Sequence, residues 1–123
     1  MTVKSTAFGA ALVVGAFTAG SALAADKASG EDIRNLVSGS TVQGSMLVEK
    51  YQKYSEFYMA DGIIRGDGYT GKWSIEGDTM CFSYGGTSSG CWAATIEGPA
   101  VIWWKDGAVD GAAVAMPGNG NNY

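Results

Sequence analysis

Downstream of residue 40, short runs of alternating apolar and polar residues are broken by glycine-containing pairs: Asp61-Gly62, Gly77-Asp78, Gly85-Gly86, Gly98-Pro99 and Asp106-Gly107. That rhythm predicts an antiparallel meander, because tight turns of this composition join neighbouring strands. Strands are predicted near 41–48, 52–60, 63–66, 70–76, 79–84, 91–97, 100–105 and 108–116. Ahead of them, "SGEDIRNLVSGSTV" carries the marks of a short helix. Ser29 can cap it, Glu31 and Asp32 lie near the positive end of its dipole, and Gly39 ends it. Ile33, Leu36 and Val37 fall on one side of that helix.

The turns also fix which side chains share a face. A two-residue turn at Gly77-Asp78 sets Ile75 opposite Met80 and Trp73 opposite Phe82. Facing Cys81 with Cys91 across the next hairpin puts Phe82 over Gly90 and Met80 over Trp92, with both sulfurs on the other side. A turn near Gly98 aligns Ala94 and Ile96 with Val101 and Trp103, and one at Asp61-Gly62 aligns Phe57 and Met59 with Ile64. The expected core face is therefore Phe57, Met59, Ile64, Trp73, Ile75, Met80, Phe82, Trp92, Ile96, Val101 and Trp103. The last hairpin departs from the rule. A two-residue turn at Asp106-Gly107 would place Asp110 opposite Trp103, on the apolar face, so this hairpin needs another turn length or a bulge.

An open sheet of this length would leave its aromatic face wet on one side. Closure buries that face and removes the edges. The expected fold is all-β: a small up-and-down meander closed into a barrel of about eight strands, with the short N-terminal helix plugging one end. A twisted, helix-backed sheet is the alternative.

Residues 1–24, "MTVKSTAFGAALVVGAFTAGSALA", have the form of a secretory signal peptide: Lys4, an uncharged apolar stretch, then Ala22-Leu23-Ala24 as a small-x-small cleavage site. Residues 25–123 then form a single β-rich domain in the periplasm or outside the cell. Losing Lys4 takes the net charge from −4 to −5. An acidic domain is a poor partner for nucleic acid, and no membrane span is expected after cleavage. In an oxidising compartment two cysteines read as a disulfide, Cys81–Cys91. Their spacing is not Cys-x-x-Cys, and with no histidine in the chain a zinc site lacks ligands.

The stretches "SGEDIRNLVSGSTVQGSM", "EFYMADG", "YTGKWSIEGDTMCFSYG", "CW", "WWKDG" and "GNGNNY" resemble a group of small exported proteobacterial proteins of unknown function. The likeness covers nearly all of residues 25–123, with Gly120 standing where a proline is usual. It implies no catalytic residue. "TGKW" (Thr70 to Trp73) is similar to the Gly-x-Trp of avidin- and lipocalin-type barrels, although it lies mid-chain here.

The inventory of reactive groups is short. Without histidine, no Ser-His-Asp or Cys-His constellation exists. No phosphate loop or haem motif occurs, and no cofactor or metal is implied. Glu56, Asp61, Glu76 and Asp110 could supply the carboxylate pair of a glycoside hydrolase, but each reads as a turn or polar-face residue. Alternation instead turns Trp103 inward and Trp104 outward beside Ile102, with Tyr58, Ile63 and Arg65 on the corresponding face of an earlier hairpin. Trp104, Ile102, Tyr58 and Arg65 are thus candidate partner-binding residues, unless they form a second small core under the helix. The expected function is non-enzymatic binding of a protein or envelope component. The alternative is a barrel carrying a small hydrophobic ligand, and an internal cavity well under about 300 Å3 would argue against it.

Export carries its own test. The mature chain is expected to begin at Ala25 in a periplasmic fraction, as read by N-terminal sequencing; recovery of Met1 from membranes would refute it.

Overall fold

The computed structural model describes residues 26–47, 51–86 and 89–123. The expected leader, residues 1–24, lies outside them. Helix α1 (Gly30–Val37) is followed by β1 (Ser40–Met46), β2 (Gln52–Tyr58), β3 (Ile63–Gly66), β4 (Tyr69–Glu76), β5 (Thr79–Ser83), β6 (Ser89–Glu97), β7 (Ala100–Lys105) and β8 (Ala108–Pro117). Each strand pairs antiparallel with the next, and β8 returns to β1 from Ser40↔Pro117 to Met46↔Gly111, closing the barrel. The open-sheet alternative is therefore excluded. Among the described residues no helix is long and apolar enough to cross a membrane.

Helix α1 forms where its cap allows. Ser29 Oγ accepts from Asp32 N at 3.1 Å, and the free Gly30 N–H donates to Asp78 Oδ1 at 2.9 Å, tying the helix start to the β4–β5 turn. Ile33 and Val37, both fully buried, join Val42, Ile64, Met80 and Val101 in the core. Leu36 is partly buried against the same cluster. The helix thus plugs the end of the barrel where β1 starts and β2 stops, as the sequence pattern predicts.

Three hairpins keep the expected register. Trp73 faces Phe82, Cys81 faces Cys91, and Ala94 faces Trp103. Cys81 and Cys91 are bonded on the outer wall. Cross-linking so short a loop adds roughly 2–3 kcal/mol through the unfolded state.

Strand β2 is inverted relative to expectation. The chain turns through three residues, Ala60, Asp61 and Gly62, rather than two: Met59 N donates to Ile63 O, Gly62 takes φ 96°, and Tyr58 pairs with Ile64. One extra loop residue exchanges the two faces of a strand. Phe57 and Met59, expected in the core, therefore lie on the outer wall. Glu56 and Tyr58, expected outside, point inward at 5% and 1% exposure. In the last hairpin the two-residue turn at Asp106-Gly107 holds, and a bulge between Trp103 and Trp104 makes up the difference. Trp104 pairs with Val109 and Trp103 with Gly111, so Asp110 is the extra residue, buried in the barrel.

The adjacent indoles separate as alternation requires. Trp103 is 1% exposed inside; Trp104 lies on the outer wall, its Nε1 donating to Thr95 Oγ1 and Lys27 Nζ resting 3.8 Å from its ring centre. Trp103→Ala is expected to lower unfolding free energy by about 3–5 kcal/mol, and Trp104→Ala by about 1–2 kcal/mol. Denaturant unfolding of the two variants side by side measures the difference, and equal losses would contradict it.

Candidate functional site

Among the described residues, the barrel end opposite α1 is not filled. A cavity of about 820 Å3 opens to solvent there, and its lining includes Phe82, Trp92, Trp103, Tyr54 and Met46. Aromatic rings form its walls. Phe82 packs edge-on against Tyr58, Trp92 and Trp103, with ring centres 5.4–6.0 Å apart.

Glu56, brought inward by the β2 inversion, lines the cavity. Tyr58 Oη donates to Oε2 at 2.8 Å, Tyr69 Oη to Oε1 at 2.9 Å, and Tyr84 Oη reaches both oxygens at 3.0 and 2.8 Å. A carboxylate taken out of water needs such donors, because burial without them costs several kcal/mol. Two glycines make room for the rings that supply them. A Cβ at Gly71 would lie 2.8 Å from the Tyr84 ring, and one at Gly66 would collide with the Tyr69 ring. The bulge residue Asp110 is the second inward carboxylate, 6% exposed, and Trp92 Nε1 donates to its Oδ2 at 2.7 Å. Trp103 Nε1 donates to Tyr54 Oη at 2.9 Å.

Burial pushes the phenols of Tyr58, Tyr69 and Tyr84 well above the ordinary tyrosine range, and the neighbouring Glu56 charge raises them further. Tyr54 also rises, chiefly through burial, although its hydrogen bond from Trp103 opposes the shift. All four remain protonated at neutral pH, and Tyr58, Tyr69 and Tyr84 donate to Glu56.

The surface set read from the sequence is not assembled. Tyr58 is inside the barrel, a correction that follows from the three-residue loop. Arg65 lies exposed on β3, its Nε 3.2 Å from Met59 Sδ, while Ile102 and Trp104 lie on β7, across the ring of strands. Asp61 caps its own turn by accepting from Ile63 N, and Glu76 sits on the outer wall with Oε2 3.4 Å from Cys81 Sγ. Glu76, Cys81 and Cys91 cluster closely enough to suggest metal ligands, but both sulfurs are spent in the disulfide. Glu56, expected on the polar face, is corrected to the cup, and Asp110, which the two-residue turn set on the apolar face, lies there too: both are buried in the cup. The signal for them was the alternation Tyr54-x-Glu56-x-Tyr58, together with inward glycines at 66 and 71.

Fold and cup together define a small, closed, antiparallel up-and-down β-barrel with one end plugged and the other hollow. No protein-family model, no curated protein and no solved structure matches this chain.

The raised phenols make a pH prediction. Above the ordinary phenol value of 10.0 the unfolded chain releases protons that the folded barrel retains. Stability from these groups is therefore fully present below about pH 10 and is lost as pH rises beyond it. The urea midpoint should fall above that pH, and tyrosinate absorbance should account for fewer than all 6 tyrosines until the barrel unfolds. Complete ionisation in the folded state would contradict the buried network.

Proposed function

We propose that this domain is a non-enzymatic binding protein of the periplasm that takes a small molecule into the open end of its barrel. The observation that carries this reading is the cavity of about 820 Å3 with aromatic walls and two inward carboxylates. Its size falls among small-molecule sites and far above the limit for a filled barrel. Of the two binding modes that the sequence allows, the interior one has the support: the surface candidates are scattered, whereas the cup residues converge. The Cys81–Cys91 bond supports an oxidising compartment, in keeping with the expected leader.

Glu56 and Asp110 in one cup also invite a hydrolytic reading, since paired carboxylates cleave glycosides. The hydrogen bonds weigh against it. A general acid must hold a proton for its leaving group, yet both Glu56 oxygens accept from phenols, and protonation would displace one of those donors.

Binding is testable with N-phenyl-1-naphthylamine, a neutral dye that brightens in apolar surroundings. The wild-type domain should bind it with an affinity of about micromolar order, and Met46→Trp, which places an indole in the cup, should abolish the signal while the disulfide-bonded barrel still unfolds cooperatively. Equal brightening in both proteins would place the dye elsewhere and remove the support for this reading.

A further inference from the structure

Resting on the interior reading, we infer that the cup selects an organic cation: a ligand with an aromatic or aliphatic body and an ammonium or guanidinium head directed at Glu56 and Asp110.

The first reason is charge. Two carboxylates, each at least nine-tenths buried, face one cavity, and the side-chain partners of both are neutral phenols and an indole. Hydrogen bonds from neutral donors solvate these groups without cancelling their charge. Lys53, exposed in the lining, and Lys105, over Trp92, also bring positive charge to the cup, but neither hydrogen-bonds to Glu56 or Asp110. Among aromatic walls the carboxylate charge is screened less than in water, so a cation reaching the two carboxylates is attracted and an anion repelled.

The second reason is the spent donor inventory. The Tyr58, Tyr69 and Tyr84 protons go to Glu56, the Trp92 N–H to Asp110 and the Trp103 N–H to Tyr54. What these groups still offer a ligand is phenol and carboxylate lone pairs, together with ring faces. Such a lining complements a ligand that brings its own N–H donors. A carboxylate or phosphate at the depth of Glu56 and Asp110 would meet two like charges and, of the phenols and indoles there, only the Tyr54 hydroxyl as a free donor, since the other donors of the lining, Gln52, Lys53, Thr70 and Ser89, are exposed side chains.

The third reason is independent of both. The protein's own ammonium already rests on a ring of this cup: Lys105 Nζ lies 4.6 Å from the centre of Trp92, anchored by donation to Cys91 O. The Trp92 face therefore accommodates a cation in this structure, as the quadrupole of an indole favours.

Three probes of one shape separate charge from shape: 2-(1-naphthyl)ethylammonium, 1-propylnaphthalene and 3-(1-naphthyl)propanoate. Each is titrated into the oxidised domain while NMR follows the indole N–H resonances of Trp92 and Trp103, both in the cup. The ammonium should bind at least about tenfold more tightly than the hydrocarbon, and the carboxylate should bind more weakly still. Glu56→Gln and Asp110→Asn should each lower the ratio of ammonium to hydrocarbon affinity, the quantity compared between variant and wild type. Two variants are used so that one remains should the other fail to fold. Equal binding of ammonium and hydrocarbon, or a preference for the carboxylate, would overturn cation selection while leaving the cup as a binding site. Failure of all three probes to move either indole resonance would overturn the interior reading itself, and this inference with it.

Discussion

A carboxylate inside a barrel of this size has to be solvated by the protein, and much of the hollow end follows from meeting that demand at Glu56. Three phenols converge on its two oxygens from β2, from the start of β4 and from the residue after β5. Bringing Tyr69 and Tyr84 inward needs space, which the missing side chains of Gly66 and Gly71 provide. Each phenol is held in its donor form by burial first and by the charge of the carboxylate it serves second. Polar satisfaction, rather than apolar packing, shapes this half of the molecule.

The other half obeys the ordinary logic of a core. Ile33 and Val37 of α1 close the barrel over Val42, Ile64, Met80 and Val101, and the helix is itself anchored through Asp78. The barrel is thus divided along its axis. One end contributes stability through burial, and the other leaves a space whose lining is chemically specific. Trp103 belongs to both halves, fully buried beside the core yet bordering the cavity and donating to Tyr54.

The architecture was largely legible because several turns agreed independently. The register of β4, β5, β6 and β7 follows from two-residue turns and from the facing cysteines, and each of these is local. The cup was hidden because its key strand hangs on a loop whose length is ambiguous by one residue. "ADG" reads equally well as a two- or three-residue connection, and the choice decides whether Phe57 or Tyr58 faces inward. The apolar count favoured Phe57 and Met59, whereas the structure favours the strand face that satisfies Glu56. Asp110 stays inside, as the two-residue turn implies; the bulge makes it the extra residue and sets Gly111 opposite Trp103, and a purely alternating pattern cannot show which strand absorbs the extra residue.

The pairing made across the loop of Ala60, Asp61 and Gly62 also has an evolutionary meaning. Tyr58 rather than Met59 stands opposite Ile64, and that choice turns Glu56 toward the lumen. A deletion in the loop that kept this pairing would leave the lumen as it is, whereas a slip of β2 by one residue against β3 would present Phe57 and Met59 to the lumen and send Glu56 to solvent. The barrel would then be furnished as a solid scaffold rather than as a receptacle. A hollow, charged lumen is in this sense one register step away from a packed one, and homologues that differ by that step need not share a ligand even where their strands align residue for residue.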